Sequence, residues 1–219
     1  MSAALALIAH DLKNALGVLE AELGAMVAIV AEPSTLLAYK VHNAHNAHEH
    51  CGDLRRQFVQ FLTLYGAETE GLRALCEDES PLELLQSLQK SWQAKLTRAG
   101  LDLQVRIKAD GQVPDFWYFD LRLVQLALDA AIHNATRFAH SWIDLSVNEE
   151  TREGARRLVW RITDDGPGLG SDDHCQHATG LGSALCESVA QVHQLNDRQG
   201  SISLHNAPEG GACFEMHLP

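Results

Sequence analysis

A chain of 219 residues, 46% of them hydrophobic, is long enough for one or two domains with a real core. Its formal charge of -12, with no basic run to offset it, argues against a nucleic-acid partner, whose phosphates would repel it. Five cysteines (Cys51, Cys76, Cys175, Cys186 and Cys213) are odd in number and lack CxxC spacing, which argues against a disulfide frame or a zinc site and suits a reducing cytoplasm.

Residues 2–31 read as one long amphipathic helix. At about 100° per residue, Leu5, Ile8, Leu12, Leu16, Leu19, Leu23, Met26 and Val30 fall within a stripe roughly 80° wide, and His10 points roughly 165° away from its centre. Asn14 shares the face of His10 one turn on, and Asp11 sits beside it. A neutral imidazole needs one nitrogen protonated for the other to be a nucleophile, and a neighbouring carboxylate holds that tautomer. The apolar start, Ala3 to Ala9, has no basic flank and is far short of the ~20 residues of a membrane span, so a soluble protein is expected.

Pro33 ends the first helix, and Ser34 or Thr35 caps a second that runs to about Tyr65, with Leu37, Val41, Ala44, Cys51, Phe58, Leu62 and Tyr65 clustered on one side. The two form a hairpin. A single hairpin cannot bury both stripes, so pairing with a second copy as a four-helix bundle is predicted. The run from His42 to His50 leans away from the stripe and spreads its histidines over roughly 120° of helix, which reads as a solvated face.

The polar stretch Gly66 to Glu79 reads as a linker. Ser80 and Pro81 then open a helix to Ala99, followed by a strand over 101–107, a helix over 120–139 and strands over 142–147 and 158–163. A helix over 182–193 and strands over 201–206 and 212–218 complete the chain. The class is α+β: a helical hairpin (1–67), a linker (68–79) and an α/β sandwich (80–219).

Three stretches of the sandwich carry polar chemistry. In His133 to Phe138 the Asn134 amide oxygen suits a Mg²⁺ position, and Arg137 can reach phosphate. In Asp164-Asp165-Gly166-Pro167-Gly168, at a strand end, a carboxylate can accept from an adenine amino group while the glycines let backbone approach the base. In Thr179 to Leu185 a Gly-rich turn opens a helix whose free N–H groups suit phosphate.

With these residues in order, the chain resembles the catalytic core of a two-component sensor histidine kinase. His10-Asp11-Leu12-Lys13-Asn14 is similar to the phosphoacceptor box, 133–138 to the N box, 164–168 to the first glycine box and 180–185 to the second. The ending from Gly210 to Pro219 resembles the family's last strand. The resemblance implies a homodimerising phosphotransfer hairpin and an ATP-binding domain of the Bergerat type, shared with gyrase, Hsp90 and MutL. It implies that His10 attacks the γ-phosphate, Asp11 orients it and Asn14 positions water for the reverse reaction on a receiver's phospho-aspartate. Asn134 would ligate Mg²⁺, Asp164 would read adenine, and Gly166, Gly168, Gly180 and Gly182 would shape the pocket. The family's earlier asparagine is Ala130 here, next to Asp129, and only a dozen residues separate Gly168 from Gly180. The short span favours an alternative, a histidine phosphotransferase relaying phosphate between receiver domains; a third reading is a non-enzymatic docking partner of a cognate kinase.

Overall fold

The computed structural model of the protein describes residues 17, 21, 51–52, 54–67, 71–108, 111–152, 154–170 and 180–219. The chain divides into two compact units, Met1–Glu70 and Gly71–Pro219. In the first unit, Gly17, Ala21 and the described residues of 51–67 are helical. Phe58, Phe61 and Tyr65 follow one another along that helix with ring centroids 6.5 and 6.0 Å apart. Phe58, Leu62 and Tyr65 are exposed.

The second unit is a five-stranded mixed sheet carrying a layer of three helices. Its elements are β1 (Glu77–Glu79), α1 (Pro81–Arg98), β2 (Gln104–Ile107), β3 (Trp117–Phe119), α2 (Leu121–Thr136), β4 (Trp142–Arg152), β5 (Ala155–Asp164), α3 (Leu181–Val192), β6 (Gln194–Leu195), β7 (Arg198–Gln199), β8 (Ser201–Asn206) and β9 (Ala212–Leu218). The large sheet runs β2-β4-β5-β9-β8, and β1 pairs with β3 and β6 with β7 in small antiparallel ribbons. Only β2 and β4 are parallel in the large sheet, and the connection between them contains α2, as a parallel pair requires a crossover.

Period-two alternation decides which face is covered. Ile143, Leu145 and Val147 of β4, Leu158, Trp160 and Ile162 of β5, and Met216 and Leu218 of β9 point into one cluster with α1 and α2. Their neighbours Asp144, Ser146, Asn148, Arg161, Cys213, Glu215 and His217 therefore lie on the opposite face. Helix α1 contributes Leu84, Leu85, Leu88, Trp92 and Leu96, spaced three or four residues apart, and α2 contributes Val124, Ala127, Leu128, Ile132 and Ala135. The predicted start of α1 is present: Ser80 accepts from the Glu83 N–H at 3.4 Å, and Pro81 occupies the first turn.

Several boundaries differ from the sequence reading. The stretch 71–79, read there as linker, folds within the second unit: β1 pairs with β3, and Leu72 packs against the core. Helix α2 stops at Thr136 instead of 139, and β4 runs on to Arg152 instead of 147 because its polar half pairs in register with β5. Among the described residues no helix is long and apolar enough to cross a membrane.

Candidate nucleotide site

His10, Asp11 and Asn14 lie outside the described residues. Of the other sequence-predicted site residues, Asn134 lies on α2, Gly166 meets the chain just past it and Gly182 packs on it. Asp164 ends β5 and is buried. Its Oδ1 accepts from the Gly166 N–H at 2.9 Å and from the Ala212 N–H at 3.3 Å. Among the described residues Oδ2 accepts no hydrogen bond, so one oxygen is fixed by backbone and the other is left to accept from outside. A carboxylate in that state suits an exocyclic amino group.

The glycines around it are required by contact. A Cβ on Gly166 would stand 2.5 Å from the Phe138 carbonyl oxygen, so the turn after β5 presses on the chain just past α2. Gly168 has a φ of +80°, and a Cβ there would meet Asn206 Oδ1 at 2.7 Å. The same Asn206 oxygen accepts from the Leu169 N–H at 2.6 Å, tying the first glycine turn to the end of β8.

Asp165, next to the candidate adenine contact, serves the scaffold. Its carboxylate accepts from the N–H groups of His140 at 2.8 Å, Ser141 at 3.0 Å and Trp142 at 3.2 Å, and from the Ser141 hydroxyl. Partial burial pushes its pKa up, but the hydroxyl and the three amides outweigh that and hold it at about 2. This explains where α2 ends: the amides that would carry on from it point to Asp165. A carboxyl depressed in the fold contributes stability that is complete above its ordinary 3.8 and is lost as pH falls towards about 2. Asp165→Asn is expected to flatten that part of the acid-unfolding curve, read by tryptophan fluorescence between pH 4 and 2.

Helix α3 begins on Gly180 in the left-handed conformation, φ 69°, with no side-chain cap. Its positive dipole end suits an anion. A Cβ on Gly182 would meet the Ala130 Cβ at 3.9 Å, so the second glycine turn packs on the α2 position where the resembled family has its earlier asparagine. Asn134 is one turn beyond Ala130 on the same face of α2, and it is exposed. Arg137 caps the C-terminus of α2, exposed, with its guanidinium 5.6 Å from the Phe138 ring. Asp129 is engaged elsewhere, accepting from the Trp92 indole at 2.7 Å and so fastening α2 to α1.

Two residues of the site were missed by motif reading. Gly211 has a φ of +83°, and a Cβ on it would stand 1.8 Å from the Asp164 carbonyl oxygen. Asn206 holds the first glycine turn from the neighbouring strand. The sequence signal for Gly211 was the Gly-Gly pair between two alternating strands, which marks a bend without revealing what lies against it.

Residues 119–219 match the profile of the histidine kinase-, DNA gyrase B- and HSP90-like ATPase family. The chain is similar over 97% of its length to the sensor-like histidine kinase SenX3 of Mycolicibacterium smegmatis at 23% identity, and over 47% of its length to the sensor protein KdpD of Escherichia coli at 29% identity. It spans 56% and 12% of those relatives. Among solved structures, Acinetobacter baumannii histidine kinase AdeS shares the fold with a TM-score of 0.69 at 21% identity, over 95% of this chain and 96% of that one. The cytoplasmic segment of histidine kinase QseC aligns with a TM-score of 0.53 at 16% identity, over 75% of this chain and 94% of that one. The glycine-framed carboxylate and the profile match agree: residues 119–219 form an ATPase domain of the histidine kinase, DNA gyrase B and HSP90 type.

Proposed function

We propose that the protein is an ATP-dependent histidine autokinase of the cytoplasm, which works as a homodimer and passes its phosphoryl group to an aspartate of a receiver domain. The observation that carries the reading is the Asp164 carboxylate, with Oδ1 held by two backbone amides and Oδ2 left to accept. Adenine would be read there, phosphates would lie at the start of α3, and Mg²⁺ would be held by the Asn134 amide oxygen, neutralising charge on the phosphates. The residues present suit such a ligand in kind: an exposed amide at Asn134, a helix start without a side-chain cap at Gly180 and a carboxylate at Asp164. Arg137 would offer a cation to the phosphates.

In the proposed reaction an imidazole nitrogen of His10 attacks the γ-phosphorus. A P–N bond forms, the bond to the β-phosphate oxygen breaks, and ADP leaves with that electron pair. Asp11 orients the ring, and in the reverse reaction Asn14 positions water. Phosphoryl transfer of this kind is positioning and charge neutralisation more than covalent work by the protein. The exposed Phe58, Leu62 and Tyr65 row supports a homodimer, because an aromatic stripe of that size favours a partner helix.

Incubation with γ-labelled ATP and Mg²⁺ tests the proposal. Acid-labile label is expected on the wild type and is lost in His10→Ala, while Asp164→Asn weakens ATP binding about tenfold to a hundredfold through loss of a charge-assisted acceptor. Absence of label, combined with rapid acceptance of phosphate from a phosphorylated receiver domain, would favour the relay reading instead.

A further inference from the structure

The sheet face turned away from the helices carries a cluster that the nucleotide site does not use. His205 on β8 and Cys213 on β9 are direct partners in the antiparallel register, and Glu215 follows two residues along β9 on the same face. One ligand atom from each of the three lies within 4.8 Å of the others. His205 is exposed, Glu215 is half-buried and Cys213 is buried, so the group is open to solvent on one side and walled on the other.

We propose that His205, Cys213 and Glu215 form a binding site for a thiophilic divalent cation of the zinc type. The donor set decides the class: a thiolate and an imidazole suit zinc or cobalt, whereas magnesium and calcium take oxygen ligands. Tetrahedral binding at about 2.0 Å to nitrogen and 2.3 Å to sulfur brings donor atoms to roughly 3.5 Å of one another. His205 is the exposed member of the group, so its side chain is the one with room to move and shorten the distances. Three protein ligands leave the fourth position to water.

The surroundings resemble the outer shell of a metal site. Glu215 Oε2 accepts from the Ser203 hydroxyl at 3.2 Å and lies 3.1 Å from His217 Nε2, and the Thr163 hydroxyl reaches Cys213 Sγ at 3.4 Å. Such contacts fix ligand orientation. Arg161 lies against Glu215 Oε1 at 2.6 Å and would by itself repel a cation, but it is also paired with Glu150, so its charge is matched without the second carboxylate. On binding, a metal–sulfur bond replaces the S–H bond and one proton passes to solvent. Motif spacing does not reveal the cluster, because its cysteine is alone and its histidine belongs to another strand.

The position matters for the rest of the domain. Cys213 pairs with Thr163, and the neighbouring Ala212 N–H is bonded to Asp164. Metal binding can be tested without any assumption about nucleotide. Titration of the 219-residue chain with Co²⁺ is expected to give one thiolate-to-cobalt charge-transfer band in the near ultraviolet with visible bands of tetrahedral intensity, displaced by Zn²⁺ and untouched by excess Mg²⁺. Cys213→Ser should abolish the charge-transfer band, and His205→Ala should weaken Co²⁺ binding about tenfold or more. A wild type without the band, or a band that survives in Cys213→Ser, overturns the proposal. His205 is exposed and its replacement leaves the fold alone, so undiminished affinity in His205→Ala overturns it even if the serine variant misfolds.

Discussion

Gly211→Ala is expected to leave the second unit unfolded or insoluble. The added Cβ would stand 1.8 Å from the carbonyl oxygen and 2.7 Å from the carbonyl carbon of Asp164, both backbone atoms that no side-chain rotation can move. Relief requires β9 to separate from β5 at the end of their ladder. That separation breaks the Ala212 N–H bond to Asp164 and releases the carboxylate that the proposed adenine contact depends on. The left-handed φ of +83° adds a conformational cost of about 1 kcal/mol for any residue with a Cβ. Together these exceed about 4 kcal/mol, a large share of a domain's stability. Gly210→Ala is the control, because Gly210 also has a positive φ, 98°, but a Cβ there meets nothing within 4 Å. It should cost only about 1–2 kcal/mol. The four tryptophans, Trp92, Trp117, Trp142 and Trp160, all lie in the second unit, so the urea midpoint of their fluorescence reports on it directly. Equal midpoints for the two variants would show that contact with Asp164 does not govern the effect.

What the sequence revealed, and what it hid, follows the range of the interactions concerned. Strands β8 and β9 were legible to the residue because Ile202 and Leu204 alternate with serines, Phe214, Met216 and Leu218 alternate with polar residues, and a turn signal, Ala207 to Gly211, separates them. The ribbons β1–β3 and β6–β7 escaped because two or three residues carry no measurable period. The polar end of β4 escaped because Asn148, Glu149 and Glu150 read as loop, while pairing with β5 and the Arg156–Glu149 ion pair keep them in strand. The end of α2 was read late because Arg137, Phe138 and Ala139 continue its pattern, and the carboxylate that stops it, Asp165, is on another strand end. The same division holds in the site. Asp164, Gly166 and Gly168 stood out because their spacing is local. Gly211 and Asn206 act on them across strand pairings that a motif cannot display.

Asp120→Ala carries the second large effect, because one buried residue joins three parts of the second unit and its carboxylate holds two of them. Asp120 caps α2: its Oδ1 accepts from the N–H groups of Arg122 at 3.0 Å and Leu123 at 3.1 Å. Its Oδ2 accepts from the Leu75 N–H at 2.8 Å, which ties down the chain ahead of β1, and from Arg122 at 3.3 Å. Its own N–H donates to His193 Nε2 at 3.0 Å, so the imidazole keeps its proton on Nδ1 and gives it to the Val189 carbonyl at 2.7 Å, at the end of α3. Removing the carboxylate leaves three backbone donors without their acceptor, a loss of about 3 kcal/mol. The Leu75 amide should lose its protection against hydrogen exchange, since its side chain is exposed and the carboxylate is what holds it. Burial pushes the Asp120 pKa up, but the Leu75 and Leu123 amides and Arg122 together bring it below its ordinary 3.8, so its contribution is complete above that value and is lost as pH falls. Burial lowers the His193 pKa below 6.5, more than the Val189 carbonyl and the Asp120 charge raise it, so its neutral form stabilises the fold fully above 6.5 and less as pH falls. The two limbs separate in the variant. Asp120→Ala should erase the carboxylate limb of the acid-unfolding curve and retain the histidine limb, because the partner of His193 is the backbone N–H of residue 120, which alanine keeps. Loss of both limbs together would mean that the side chain, and not the backbone, keeps His193 neutral.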